Sequence, residues 1–387
     1  MRITSIVPLL LAAVLWACGS RAPGAGGGPS VAESTLADRT YYVYVANESS
    51  DIVSKVAFAP SVGAWVEREI EVGLMLADLD APHGLAVSPG GAYWFVSLAH
   101  GTPFGSVWKY STAGDTLVGR VQLGRFPASM GLTPDGAFLF VSNFNLHGEH
   151  EPSGISVVYA PDMIEVARPT TCIMPHGGRV NVAGTKHYST CMHSDQLVEL
   201  DAVTFQVTGR MSLVPGAEAP LAADESTSAG AAHAHSAESP VCSPTWAATG
   251  RGERADRFVY VACNRMAQVL EIDVVEWRVT RRFETGEAPY NLETTPDGES
   301  LLISLRGEQA VAMIDLERGR EAARISTSRP ITHGVVLSPD GRFAFVTNEA
   351  VGSTLGTLDV IDLARLERVA SLELRHQPGG VDFWTIR

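Results

Sequence analysis

The sequence predicts an all-β chain, a seven-bladed β-propeller closed by its C-terminal strand. Three observations carry this. One short apolar run recurs seven times: YVYVAN (42–47), YWFVSL (93–98), FLFVSN (138–143), KHYSTC (186–191), FVYVAC (258–263), LLISL (301–305) and FAFVTN (343–348). A turn signal, SPGG, TPDG or SPDG, precedes four of those runs. The chain ends in PGGVDFWTIR, which matches a first strand, whereas the first unit begins at its second strand.

Each run is short, rich in Val, Ile, Phe and Tyr, and bounded by Gly, Pro, Asp or Asn, which is the strand signature. A second apolar stretch follows each run, such as GSVWKYS, GISVVYA or QVLEIDV, and then a third, such as RVQL or ARIS. Four strands repeating every 40 to 70 residues or so make propeller blades. A helical solenoid would need 3.6-residue periodicity over longer runs, which is absent. Asp-Gly closes tight hairpins because glycine tolerates positive φ. A C-terminal strand completing the N-terminal blade removes the open sheet edge.

The units resemble the YVTN-type repeats of seven-bladed β-propellers, through YVAN, FVSN and FVTN and the SPDG turns, over about residues 40–387. The resemblance is specific for fold. Similar propellers include the haem domain of nitrite reductases, the copper domain of nitrous oxide reductases, lactonases and non-enzymatic binding proteins, so it leaves the function open.

The chain of 387 residues carries a net charge of −14, which argues against a nucleic-acid groove. Residues 1–17 combine a basic Arg2 with a short apolar stretch, the plan of a signal peptide. Leu15, Ala17 and Cys18 resemble a bacterial lipobox, which implies lipid attachment at Cys18 and a location in the cell envelope, facing the periplasm or the exterior. Residues 18–39 are rich in Gly, Ser, Ala and Pro and read as a flexible tether, and 40–387 as the propeller. Residues 214–241 form one long insertion, with a composition that reads as a mobile loop.

The candidate site comes from aligning the units on their turn glycine. Eight residues before it stand His83, His176 and His333 in three units, and Ala128 and Tyr290 in two others; Thr245 and Gly379 align through their prolines. This position opens the innermost strand, so every blade aims it at the channel axis. Three convergent imidazoles suit a divalent transition metal such as copper or zinc. The loop after the recurring run emerges on the same face and adds His100 and His193 as further candidate ligands, with His147 and His150 beside them. HAHS (233–236) lies in the insertion.

Cys172 and Cys242 lie just before the first strands of adjacent units, and Cys191 and Cys263 end their second strands. That placement favours bridges Cys172–Cys191 and Cys242–Cys263 in an oxidising compartment; thiolate ligation beside His176 and His193 is the alternative. No haem-attachment C-x-x-C-H, nucleophile elbow, H-E-x-x-H or P-loop occurs. The functional expectation is a lipid-anchored extracytoplasmic binding protein, taking a small molecule, metal or protein on its top face and touching the membrane only through its anchor. The alternative is a metal- or haem-dependent oxidoreductase, or a lactonase-like hydrolase, using the same histidines.

Overall fold

Seven antiparallel sheets stand around a central channel in the computed structural model, which describes residues 39–74, 79–100, 103–224 and 239–387. Cys18, the segment before it and HAHS (233–236) lie outside the described residues. Six sheets are built from four or five consecutive strands; the seventh joins the two ends of the chain. There Pro378–Ile386 pairs antiparallel with Tyr41–Asn47, so the last strand is the innermost strand of the first blade. The expected closure is therefore present. We number this composite sheet blade 1 and continue along the chain to blade 7, which opens at Ile331–Leu337.

The core is not one mass but seven layers between neighbouring blades. Trp94, Val96 and Leu98 of blade 2 meet Tyr44, Ala46 and Val53 of blade 1, and Phe343 and Phe345 of blade 7 meet Tyr41, Val43 and Phe58 across the seam. Each sheet is thus apolar on both faces, which is why its central strands read as continuous apolar runs rather than alternating ones.

Two devices fix the blade ends. The turn glycines adopt positive φ, as at Gly341 (69°), whose N–H donates to the Ser338 carbonyl at 2.9 Å. At the other end, the asparagine of the recurring run ties the strand to its neighbours. Asn143 Nδ2 donates to the Gly154 carbonyl and to Ser156 Oγ, while its Oδ1 accepts from Gly124 N–H. In blades 4 and 5 cysteine takes that place, and the bridges are Cys172–Cys191 and Cys242–Cys263. A covalent tie does there what the asparagine does in blades 1, 3 and 7.

Two features depart from the four-strand plan. The outer edge of blade 3 is split into Ile164–Ala167 and Thr170–Ile173, both paired with Pro152–Tyr159. Pro169 lies between the halves and has no N–H to continue the ladder. The described start of the insertion folds back on the outer strand of blade 4, bridging Pro220 to Met211, and Arg210 Nε donates to the Ala223 carbonyl at 2.7 Å.

Candidate binding site at the channel mouth

The aligned position exists in all seven blades, and a β-bulge makes it. Pro82 pairs with Leu98, then the register slips by one residue before Leu85 pairs with Val96. The same slip follows Pro127, Pro175, Pro244, Pro289, Thr332 and Pro378. A bulge re-aims the residue it carries. Here it turns Gly379, His83, Ala128, His176, Thr245, Tyr290 and His333 of blades 1 to 7 toward the axis, so the sequence alignment holds at Thr245 and Gly379 as well.

The three imidazoles meet because their neighbours are small. Gly379 stands between blades 7 and 2, and Ala128 between blades 2 and 4. His83 therefore reaches across both, with ring centroids 6.4 Å from His333 and 6.5 Å from His176. Tyr290 fills the remaining gap, 5.6 Å from His176 and 4.6 Å from His333. A Cβ built at Gly379 would lie 3.6 Å from His333 Nδ1, so any larger side chain would enter that space.

A second ring surrounds the first. It comes from the residue after the recurring run: Glu48, Ala99, Phe144, Met192, Asn264, Arg306 and Glu349 in blades 1 to 7. Glu48 Oε2 lies 2.9 Å from His83 Nδ1 and its Oε1 lies 3.6 Å from His100 Nε2; Gln377 Nε2 donates to it at 3.1 Å. Glu349 lies 3.4 Å from His333 Nε2 and 3.5 Å from Arg306, whose guanidinium also sits 4.9 Å over the Tyr290 ring. Across the mouth the wall is apolar: Ala99, Phe126, Ala128 and Phe144 cluster, with Met174 and Met192 packed on them.

These surroundings split the imidazoles electrostatically. Burial disfavours charge on His83, but the Glu48 carboxylate outweighs it and raises the pKa above the usual 6.5. Burial also works against charge on Glu48, yet His83 and His100 hold its pKa well below the carboxylate range. His176 has no carboxylate beside it, and burial lowers its pKa to about 3. Burial, then Arg306, pushes His333 well down, and burial pushes Glu349 up. The mouth thus favours charge on one imidazole and disfavours it on the two that face it.

His176 is fully engaged: its Nδ1 lies 2.8 Å from the Thr245 carbonyl and its Nε2 3.2 Å from the Tyr290 hydroxyl. The carbonyl needs a donor, so Nδ1 carries the proton and Nε2 accepts from the phenol. His333 Nδ1 is buried and finds no hydrogen-bond partner among the described residues. Below the imidazoles a cavity of about 530 Å³ follows the inner strands down to Pro89, Pro134, Pro296 and Pro339 in the turns.

Of the other sequence candidates, His100 joins this cluster through Glu48, and His147 lies edge-on beside it, 5.2 Å away. His193 does not join it. It pairs with His150, ring centroids 4.0 Å apart, where blades 3 and 4 meet. Among the described residues no three His, Cys, Asp or Glu side chains are grouped to hold a metal ion. Sequence reasoning missed Glu48, Arg306 and Glu349; the signal was present in ANE and TNE, where the same acid follows the same asparagine.

Fold and site together define a seven-bladed β-propeller whose channel mouth is ringed by histidine and tyrosine. No protein-family model matches the chain, and no curated protein does. Solved structures share the fold. The periplasmic gluconolactonase PpgL of Pseudomonas aeruginosa is 18% identical, with a TM-score of 0.66 over 89% of this chain and 99% of that one. The dihydro-heme d1 dehydrogenase NirN, solved in complex with DHE, is 15% identical, with a TM-score of 0.58 over 88% and 75%. Kuenenia stuttgartiensis hydrazine synthase is 17% identical, with a TM-score of 0.60 over 80% and 92%. At such identities the likeness concerns the fold alone.

Proposed function

We propose that this chain is a lipid-anchored binding protein of the cell envelope that takes a small molecule at the channel mouth of its propeller. One observation carries the reading: His83, His176, Tyr290 and His333 converge from four blades above a cavity, and one of their buried nitrogens has no partner among the described residues. Buried polar atoms are normally bonded, so an orphan beside a cavity favours a ligand. Lipidation rests on Leu15, Ala17 and Cys18 and the tether behind them. Two likenesses support the setting: PpgL is named as periplasmic, and NirN was solved with a bound ligand. This reading routes nothing through copper or zinc, and a divalent metal at the same histidines is a separate proposal that the metal arms of the test below address.

The test uses the full chain purified in detergent and thermal melting against small molecules, copper, zinc and haem. A ligand at 100 times its Kd stabilises a protein by about 2.7 kcal/mol. The expectation is such a shift in the wild type, lost in His176→Ala and Tyr290→Phe. If every stabilising compound acts equally on both variants, the mouth is not the site. Cys18→Ser should move the chain out of the membrane fraction; a variant that stays there removes the anchor from the reading.

A second reading, an enzyme using the same histidines, is favoured by the two carboxylate–imidazole pairs Glu48–His83 and Glu349–His333. A carboxylate orients an imidazole for proton transfer. Turnover of a lactone, lost in His333→Ala, would select it over plain binding.

A further inference from the structure

The wall below the imidazoles carries a second set of residues that the repeat does not explain. The position after the mouth ring is Gly380, Gly84, Ser129, Gly177, Trp246, Asn291 and Gly334 in blades 1 to 7. It is small in five blades because adjacent inner strands nearly touch there. A Cβ on Gly84 would stand 2.1 Å from the Ala128 carbonyl oxygen, and one on Gly380 would stand 2.2 Å from that of His83. Trp246 and Asn291, in adjacent blades, break the pattern. Room for the indole comes from Gly177, where a Cβ would lie 2.3 Å from Trp246 Cδ2.

Both side chains line the cavity, and both are unsatisfied. Trp246 Nε1 and Asn291 Oδ1 are buried and have no hydrogen-bond partner among the described residues, and the same is true of His333 Nδ1. Trp246, Asn291 and His333 are 9%, 4% and 5% exposed. They stand on three consecutive blades, joined through Tyr290, whose ring lies 6.2 Å from Trp246 and 4.6 Å from His333. The indole N–H can only donate and the amide oxygen can only accept. With its Nε2 facing Glu349, the His333 Nδ1 lone pair accepts. A ligand that answers all three must donate and accept at neighbouring points. Hydroxyl groups on adjacent carbons do this; a carboxylate only accepts and an ammonium group only donates.

The charges of the wall balance in number. Arg179 and Arg251 both bond to Glu293, at 3.3 and 3.5 Å, and Arg179 lies 5.3 Å over the Trp246 ring. Asp382 accepts the N–H groups of Val87 and Phe383 at 2.7 and 2.9 Å. Two guanidiniums and two carboxylates leave this part of the wall without net charge to favour an ionic ligand. We infer that the channel wall formed by Trp246, Asn291 and His333 binds an uncharged, hydroxyl-rich molecule of monosaccharide size. A cavity of about 530 Å³ is ample for one. The inference rests on the reading of the mouth as a ligand site and names the ligand's class.

The experiment is calorimetric titration of the full chain, in a detergent without a sugar headgroup, with glucose, myo-inositol, gluconate and cyclohexanol. Glucose or myo-inositol should bind, gluconate more weakly, and cyclohexanol not at all. Trp246→Phe removes the indole N–H and Asn291→Leu the side-chain amide, and each should weaken binding roughly ten-fold. Monodeoxyglucoses titrated into the wild type give the same readout without mutation: at least one should lose about ten-fold. The inference is overturned if neither glucose nor myo-inositol binds with a Kd below about 10 mM, if gluconate binds more tightly than both, or if every deoxy analogue binds like its parent. A polyol that depends on Trp246 and Asn291 but ignores Tyr290→Phe keeps this inference and removes the mouth from the site. A compound lost in Tyr290→Phe and kept in Trp246→Phe does the reverse.

Discussion

The two halves of the channel mouth use the same repeat positions for opposite chemistry. In blades 6, 7 and 1 the residue after the recurring run is Arg306, Glu349 or Glu48, and these form ion pairs with each other or with imidazoles. In blades 2, 3 and 4 it is Ala99, Phe144 or Met192, packed into one apolar cluster with Phe126. The ties differ too. Blades 7 and 1 end their second strands in Asn348 and Asn47, held by hydrogen bonds, while blades 4 and 5 end theirs in Cys191 and Cys263, held by disulfides. Symmetry of the fold supplies equal heights and directions. What differs from blade to blade is therefore free to form a site, and the charged half lies on the seam where the chain closes.

The largest break in that comparison comes from the seam. Deleting Pro378–Arg387 removes the innermost strand of blade 1, bares the edge of Tyr41–Asn47 and takes away Val381 and Phe383 from the layer between blades 7 and 1. The loss should exceed about 5 kcal/mol, from buried area alone, and the truncated chain should aggregate through its open edge. Thermal melting equal to that of the intact chain would contradict closure. Removing the bridges acts away from the seam, on blades 4 and 5. Each closes a loop of about 20 residues (separations of 19 and 21), worth about 3 kcal/mol in the chain-entropy account. Hydrogen exchange after reduction should rise in blades 4 and 5 and stay unchanged in blades 7 and 1; uniform loss of protection would show that the halves are not independent.

A smaller effect separates buried histidines by pH. His187 stacks on Phe140 with ring centroids 4.8 Å apart, and burial, then Arg179, lowers its pKa to about 3. The unfolded imidazole titrates near 6.5, so between those values the unfolded chain binds the extra proton. Stability is complete above pH 6.5 and falls as the pH drops toward 3. At pH 5 His187 should cost about 2 kcal/mol. Asp382 runs the other way: burial raises its pKa to about 6, so its contribution is present at low pH and lost as the pH rises from 3.8 through 6. Comparing wild type with His187→Phe cancels the Asp382 component. Denaturant midpoints of the two should converge above pH 6.5 and separate below it; parallel curves would mean that His187 is not held neutral.

The sequence carried whatever the repeat carries. His83, His176 and His333 were found because the same bulge recurs in every blade, anchored by proline in six and by Thr332 in blade 7, so equal offsets became equal positions. The cysteine pairs were legible for the same reason. Glu48 and Glu349 were equally periodic, but a residue just past a strand reads as loop. The pairing of His150 with His193 was not legible, because it depends on the paths of two loops on different blades. Nor was the gap that Gly379 and Ala128 leave open, since the function of a small residue there appears only beside its large neighbours.

The smallest expected effect sharpens the comparison at the strand openings. In six blades the residue before the opening proline is left-handed: φ is 55° at Gln377, 51° at Ala81, 50° at Phe126, 57° at Met174, 47° at Ser243 and 53° at Ala288. Residues other than glycine rarely adopt this region, and such strain gathers where surrounding structure or function imposes it. Blade 7 opens with Ile331 and Thr332, without proline, and Ile331 keeps a negative φ. Ala288→Gly relieves about 1 kcal/mol of left-handed strain and costs about 0.5–1 kcal/mol in unfolded-chain entropy. The net change should lie within about 0.5 kcal/mol of zero. Ile331→Gly relieves no strain, loses a packed side chain and should cost more than about 1 kcal/mol. Chemical denaturation measures both. Equal losses at the two sites would mean that the left-handed openings carry no strain, and that the bulge rather than the residue before it sets the direction of the mouth ring.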